Sequence, residues 1–128
     1  MSAALPWAQA MAVAVGSACG GLLRWGTAWW LNGRWAGFPI GTLAVNCVGG
    51  LCIGIALAWF EQRPNDLLRA LWVTGLLGGF TTFSAFSGES LVLLQRGQWG
   101  LALGHTVAHV LGALASAALG YRLAALAH

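Results

Sequence analysis

The sequence predicts an all-α membrane protein with four transmembrane helices per subunit, the third of them broken, assembled as an antiparallel homodimer of dual topology. Three observations carry this reading. Charged residues make up 7% of the chain and apolar residues 59%, too few charges to cover a domain of 128 residues with a solvated surface. Uncharged runs extend over 1–23, 35–60, 70–88 and 97–121, each near or above the ~20 residues that a spanning helix needs. All six basic residues are arginine, and four spans would put Arg63, Arg69 and Arg122 on one side and Arg24, Arg34 and Arg96 on the other. Orientation follows an excess of basic residues in cytoplasmic loops, so an even split predicts a chain that inserts either way up.

The helices are expected at about 8–31, 39–60, 67–95 and 99–125, forming a single transmembrane domain over 1–128. The first is read as a retained helix. A signal peptide would carry a positive n-region, and the residues before Cys19 make a poor lipoprotein cleavage site. Cys19, Cys47 and Cys52 all lie in apolar runs, where a free thiol behaves as a small hydrophobe, so no disulfide is expected. The eight tryptophans mostly fall near predicted helix ends, as interfacial anchors do. The arginines are scattered singly and form no basic cluster, which sets nucleic acid aside.

Glycine pairs at spacing four recur on every helix: Gly16 and Gly20, Gly50 and Gly54, Gly75 and Gly79, Gly100 and Gly104. Such pairs let backbones approach closely, and together they argue for a tight bundle. Four helices alone scarcely enclose an aqueous path, so close packing is expected to extend to a second subunit. On the second helix Thr42, Asn46, Gly50 and Gly54 share one stripe, which turns Asn46 toward protein, either for interhelical hydrogen bonding or to line a pore.

The third helix carries the most informative segment, Gly75 to Phe86, which sets glycines, hydroxyls and two aromatics inside an apolar run. From 67 to 95 the helix would measure about 44 Å at 1.5 Å per residue, longer than a ~30 Å hydrocarbon core requires. Two half-helices joined near 78–82 fit better. A broken backbone at membrane depth is tolerated only where it is buried in protein or lines a polar cavity, and the carbonyls freed at 78–81 could hold a small cation. Phe83 and Phe86 lie three apart on one helix face, with Thr81, Thr82, Ser84 and Ser87 nearby. A phenyl ring is positive at its edge, so rings presented edge-on attract an anion that their faces repel.

Arg24 and Glu89 are the charges expected nearest membrane depth, where ions face water or a partner. His105 and His109 stand four apart on the last helix, a spacing that can present two nitrogens to a metal. No cysteine or carboxylate has a sequence spacing that completes such a set, so polar packing or pore lining is the preferred reading.

These motifs converge on a family. Gly21-Leu-Leu-Arg-Trp25, Gly41-Thr-Leu-Ala-Val-Asn46 with Gly49 and Gly50, and Gly78-Gly-Phe-Thr-Thr-Phe-Ser-Ala-Phe86 followed by Glu89 resemble, in order and over essentially the whole length, the Fluc or CrcB fluoride channels. The resemblance implies an antiparallel homodimer in the cell (inner) membrane, with two fluoride pores and a structural Na+ at the central interface. Backbone carbonyls of Gly78 and Thr81 from both subunits would hold the sodium. Phe83 and Phe86 would turn their edges to fluoride, Asn46 would contact the ion directly, Thr82, Ser84 and Glu89 would continue the polar track, and Arg24 would sit at a vestibule. His105 and His109 occupy the pore face where relatives usually carry a tyrosine and a small hydroxyl residue. Because histidine changes charge in the physiological range, conduction is expected to depend on pH more than in tyrosine-bearing relatives; fluoride efflux that stays flat from mildly acidic to neutral pH would remove that expectation.

The function this implies is passive, selective export of fluoride from the cytoplasm, and no enzyme activity is expected. A dual-topology exporter of the small multidrug type matches in size and packing but needs a carboxylate within the membrane to exchange protons. The first helix offers Arg24 and no acid, which leaves Glu89 as the one candidate.

Overall fold

The computed structural model describes residues 6–33 and 38–127, and every regular element among them is helical. Helix α1 runs over Trp7–Leu31 and α2 over Ile40–Gln62. Helix α3, residues 66–80, joins a first turn Asp66–Arg69, a π-helical stretch Ala70–Leu77 and a last turn Gly78–Phe80; α4 covers Phe83–Gln95 and α5 Trp99–Leu126. Among the described residues three passages, Ile40–Gln62, Asp66–Gln95 and Trp99–Leu126, are long and apolar enough to cross a bilayer. With 25 residues α1 is long enough but less apolar, and it does not join them. Arg34 and Trp35, and the first five residues of the expected first run, lie outside the described residues.

Helix ends are built from local chemistry. The turn into α3 is capped by Asn65, whose Oδ1 accepts from the Leu68 amide at 3.0 Å, and Asp66 adds a negative charge to the first turn, where the helix dipole favours it. Pro39 precedes α2 and has no side-chain oxygen to offer. Asn32, just past the end of α1, supplies it instead: its Oδ1 accepts from the amides of Gly41 at 2.6 Å and Thr42 at 3.3 Å. A Cβ on Gly41 would stand 2.6 Å from that oxygen, so the cap needs glycine there.

Two pairs of helices pack through glycine. A Cβ on Gly16 would strike the Leu71 carbonyl, one on Gly20 the Leu76 carbonyl, and one on Gly79 the backbone of Ser17, so α1 and α3 meet main chain to main chain. Helices α2 and α5 do the same, with Gly50 against the Ala113 carbonyl, Gly54 against that of Ala117, and Gly120 against that of Leu51. Lipid tails are as apolar as leucine, so this contact rests on van der Waals packing rather than on expulsion of water. The fourth glycine pair departs from expectation. Nothing lies within 4 Å of a Cβ at Gly100 or Gly104, and the glycines of α5 that pack on α2 are Gly112, against Cys47 Sγ, and Gly120, against the Leu51 carbonyl. Spacing alone cannot say which face of α5 turns toward α2.

The third passage breaks at Thr81 (φ −84°, ψ 158°) and Thr82 (φ −151°, ψ 120°), both extended. Gly78 and Gly79 stay helical. Within the expected zone 78–82 the break thus falls on the threonines and not on the glycines: Gly79 is needed small for its contact with Ser17, while the β-branched threonines take the extended backbone they favour. Thr82 then restarts the helix as its cap, Oγ1 accepting from the Ala85 amide at 3.0 Å. Gly49 on α2 makes room for the Thr81 methyl, which a Cβ there would overlap.

Candidate functional site

The break is fastened to α2 by one side chain. Asn46 Oδ1 accepts from the Thr82 amide at 2.9 Å, and Asn46 Nδ2 donates to the Thr82 carbonyl at 3.0 Å. The second hydrogen of Nδ2 points to His109 Nδ1 at 3.1 Å. Below this clasp the carbonyls lose their ordinary helical donors. Gly78 O would receive from the Thr82 amide, now bound to Asn46, and Thr81 O from the Ala85 amide, now bound to Thr82 Oγ1. The carbonyl of Gly79 accepts from Arg24 Nε at 3.1 Å. Arg24, expected at a vestibule, is part-buried and reaches across from α1 to this freed end of α3.

A cavity of about 450 Å³ opens beside the break, lined among others by Asn46, Gly78, Thr81, Phe83, Phe86 and His109. The two phenylalanines lie 5.4 Å apart between ring centroids with planes at 60°, so they differ in what they expose. Phe86 is 9% exposed, Phe83 is 78% exposed on the single chain. Phe86 packs against both histidines, 4.6 Å from His109 and stacked 5.2 Å from His105. Ser84 is exposed, with Oγ 3.2 Å from Thr82 Oγ1, and so stands on the Phe83 side of the segment.

From His109 the polar groups continue toward a second cavity of about 520 Å³, where Asn32, Glu89 and Arg96 lie. His105 and His109 rings are 4.5 Å apart. His105 Nε2 lies 3.1 Å from Glu89 Oε1, and Ser90 Oγ lies 2.8 Å from His105 Nδ1. Thr42 donates its hydroxyl to Glu89 Oε2 at 2.6 Å. The column Asn46, His109, His105, Glu89, Thr42 is thus nearly continuous through a bundle whose surroundings are apolar.

One sequence expectation is corrected, and a second residue is found already engaged. Glu89, His105 and His109 bring one ligand atom each within 4.8 Å of one another, so the carboxylate that no spacing revealed is present in space. Asn46, expected to touch an ion directly, has both amide hydrogens engaged inside the protein. Sequence reasoning also missed Ser90, and it placed Thr42 on the stripe of Asn46 without giving it a role. Its spacing of four from Asn46 was the available signal, whereas Ser90 carried none beyond its polarity in an apolar run.

A family model described as CrcB-like protein, Camphor Resistance (CrcB), matches residues 11–121. The chain belongs to the CrcB family. This CrcB chain is 46% identical over 123 residues to a protein of Aromatoleum aromaticum, covering 94% of each chain. It is 50% identical over 111 residues to one of Paracidovorax citrulli, covering 84% of this chain and 87% of the relative. Identity to one of Pseudomonas aeruginosa is 46% over 116 residues, covering 89% and 91%. Each of these relatives is named fluoride-specific ion channel FluC. The matched span of the CrcB chain contains every residue of the column just described, from Thr42 to His109, and Arg24 as well.

Proposed function

We propose that this protein is a fluoride channel of the cell inner membrane that lets fluoride leave the cytoplasm passively. Near-full-length identity to relatives named fluoride-specific channels carries the reading, and the cavity chemistry supports it. Fluoride is small and strongly hydrated, so a selective path replaces its water with hydrogen-bond donors and positive ring edges while staying too narrow for larger anions. Phe83, Phe86, Thr82 and His109 border such a path, with the Ser84 hydroxyl beside that of Thr82. Hydrogen fluoride enters cells uncharged and ionises inside, after which each departing anion gains ~2.3 kcal/mol per 100 mV of membrane potential. The exporter alternative would require a carboxylate free to exchange protons. Glu89 is instead bound by Thr42 and His105.

The assembly belongs to this proposal. Four membrane spans, with α1 the fourth, and two oppositely inserted copies would bury Phe83, which a single chain leaves exposed. Gly78 and Thr81 would hold a sodium ion between the copies. The donor set fits a hard cation: both carbonyls lack their ladder donors, both residues border the cavity, and Gly78 is exposed as a shared ligand must be. Bound there, sodium would supply positive charge and cross-link the two breaks.

The deciding experiment reconstitutes the purified protein in liposomes and follows fluoride and chloride release by electrode, for the wild type and for Phe83→Ile and Phe86→Ile. Rapid fluoride release with chloride retained, and slower fluoride release in both variants, is the expected result. Equal escape of both halides would end the assignment.

A further inference from the structure

His109 holds a buried polar atom that the rest of the network leaves alone. The residue is 4% exposed, and its Nε2 is buried with no hydrogen-bond partner among the described residues. Buried polar groups are almost always satisfied, so such an atom calls for an explanation. What it can bind depends on whether it carries the proton.

The backbone answers that question. Thr82 presents an N–H to Asn46 Oδ1 and a C=O to Asn46 Nδ2, at 2.9 and 3.0 Å. Turning the amide over would set N–H against N–H and oxygen against oxygen, so the main chain of the break fixes which end of Asn46 faces α5. That end is Nδ2, a donor only. His109 Nδ1, 3.1 Å away, therefore accepts, and the neutral ring carries its hydrogen on Nε2. We infer that Asn46 is a positioning residue that locks His109 in the Nε2–H tautomer, making that buried N–H the anion donor of the cavity beside Phe86.

The inference rests on the channel reading and deepens it. It also disposes of the trio Glu89, His105 and His109 as a transition-metal site, although the three approach within 4.8 Å. A metal needs the lone pair of a ring nitrogen; that of Nδ1 is engaged by Asn46, and Nε2 has none to give. Glu89 does not repel an anion with its full charge, because Thr42 and His105 both hydrogen-bond to its carboxylate, at 2.6 and 3.1 Å.

The test reads the ring nitrogens directly. Nitrogen NMR of histidine-labelled protein in micelles is expected to show His109 with a bare Nδ1 and a protonated Nε2, and fluoride, not chloride, is expected to shift the Nε2 signal. In Asn46→Asp, one carboxylate oxygen would still accept from the Thr82 amide while the other accepts from His109 Nδ1–H, so the tautomer should reverse. That variant is expected to lose the fluoride shift, to pass fluoride at least tenfold more slowly, and to gain calorimetrically detectable Zn2+ binding through the unprotonated Nε2 lone pair. The wild-type spectrum and wild-type Zn2+ titration carry the test even where the variant fails to fold. A wild-type His109 protonated on Nδ1, or micromolar Zn2+ binding by the wild type that His109→Gln abolishes, overturns the inference while leaving fluoride efflux as evidence for the channel. A correct tautomer that fluoride does not perturb, in protein that does conduct, overturns its anion half alone.

Discussion

At the scale of single residues, Phe86 and Thr82 do different work and should fail differently. Phe86 is buried against two histidine rings and borders the cavity, so its edge is held in place before any ion arrives. Phe86→Ile keeps the apolar bulk and removes the ring; an aromatic contact is worth ~0.5–1.5 kcal/mol, which predicts fluoride efflux about 2- to 13-fold slower by electrode with the protein still folded. Thr82 acts through its hydroxyl, which caps α4. Thr82→Ala should cost about 1 kcal/mol of stability, the usual value of such a cap, read as a lower temperature of thermal unfolding in detergent. Thr82→Ser, which keeps the oxygen, should restore most of it.

At the scale of elements, the contacts of α1 with α3 and of α2 with α5 are made by backbone, so they tolerate no added carbon. Gly54→Ala would drive a methyl into the Ala117 carbonyl and should destabilise by roughly 1–3 kcal/mol, the cost of overpacking a close interface. Gly100→Ala meets open space in the single chain and improves helix propensity, so thermal unfolding should leave its stability unchanged or slightly raised. A marked loss at Gly100 would mean that this face of α5 is covered in the assembled protein. The π-helical stretch Ala70–Leu77 belongs to the same scale. It lies one short turn before the break and contains Gly75, whose Cβ would stand 3.0 Å from Gly16 Cα, so the irregular stretch and the tight crossing with α1 coincide.

For the whole molecule, the arginine balance is a statement about insertion. With three arginines expected on each side, topology should be set by small additions of charge. Two further arginines at the 62–66 turn should bias all copies to one orientation, detectable by labelling engineered cysteines from outside the cell. Such a chain alone should not export fluoride, and co-expression with a copy biased the opposite way should restore it. Export by a single fixed orientation would refute the inverted pair. On the proposed sodium site between two copies, replacing sodium with a large organic cation should separate them or stop conduction, measured by cross-linking and efflux side by side.

Composition and pattern were enough to establish a membrane bundle, the zone of the break and the aromatic pair at Phe83 and Phe86, because hydropathy, helix length and spacing along one helix are properties of neighbouring residues. Glycine spacing told that helices cross closely but chose the wrong pair on α5, since every glycine looks alike until a partner backbone faces it. Only the tertiary structure decided what the polar side chains do. Asn46 meets Thr82 across 36 residues and His109 across 63, and Thr42 meets Glu89 across 47. Those distances close only when α2, the break and α5 dock in one register. That docking turns an amide expected to touch the ion into the group that sets a histidine's proton.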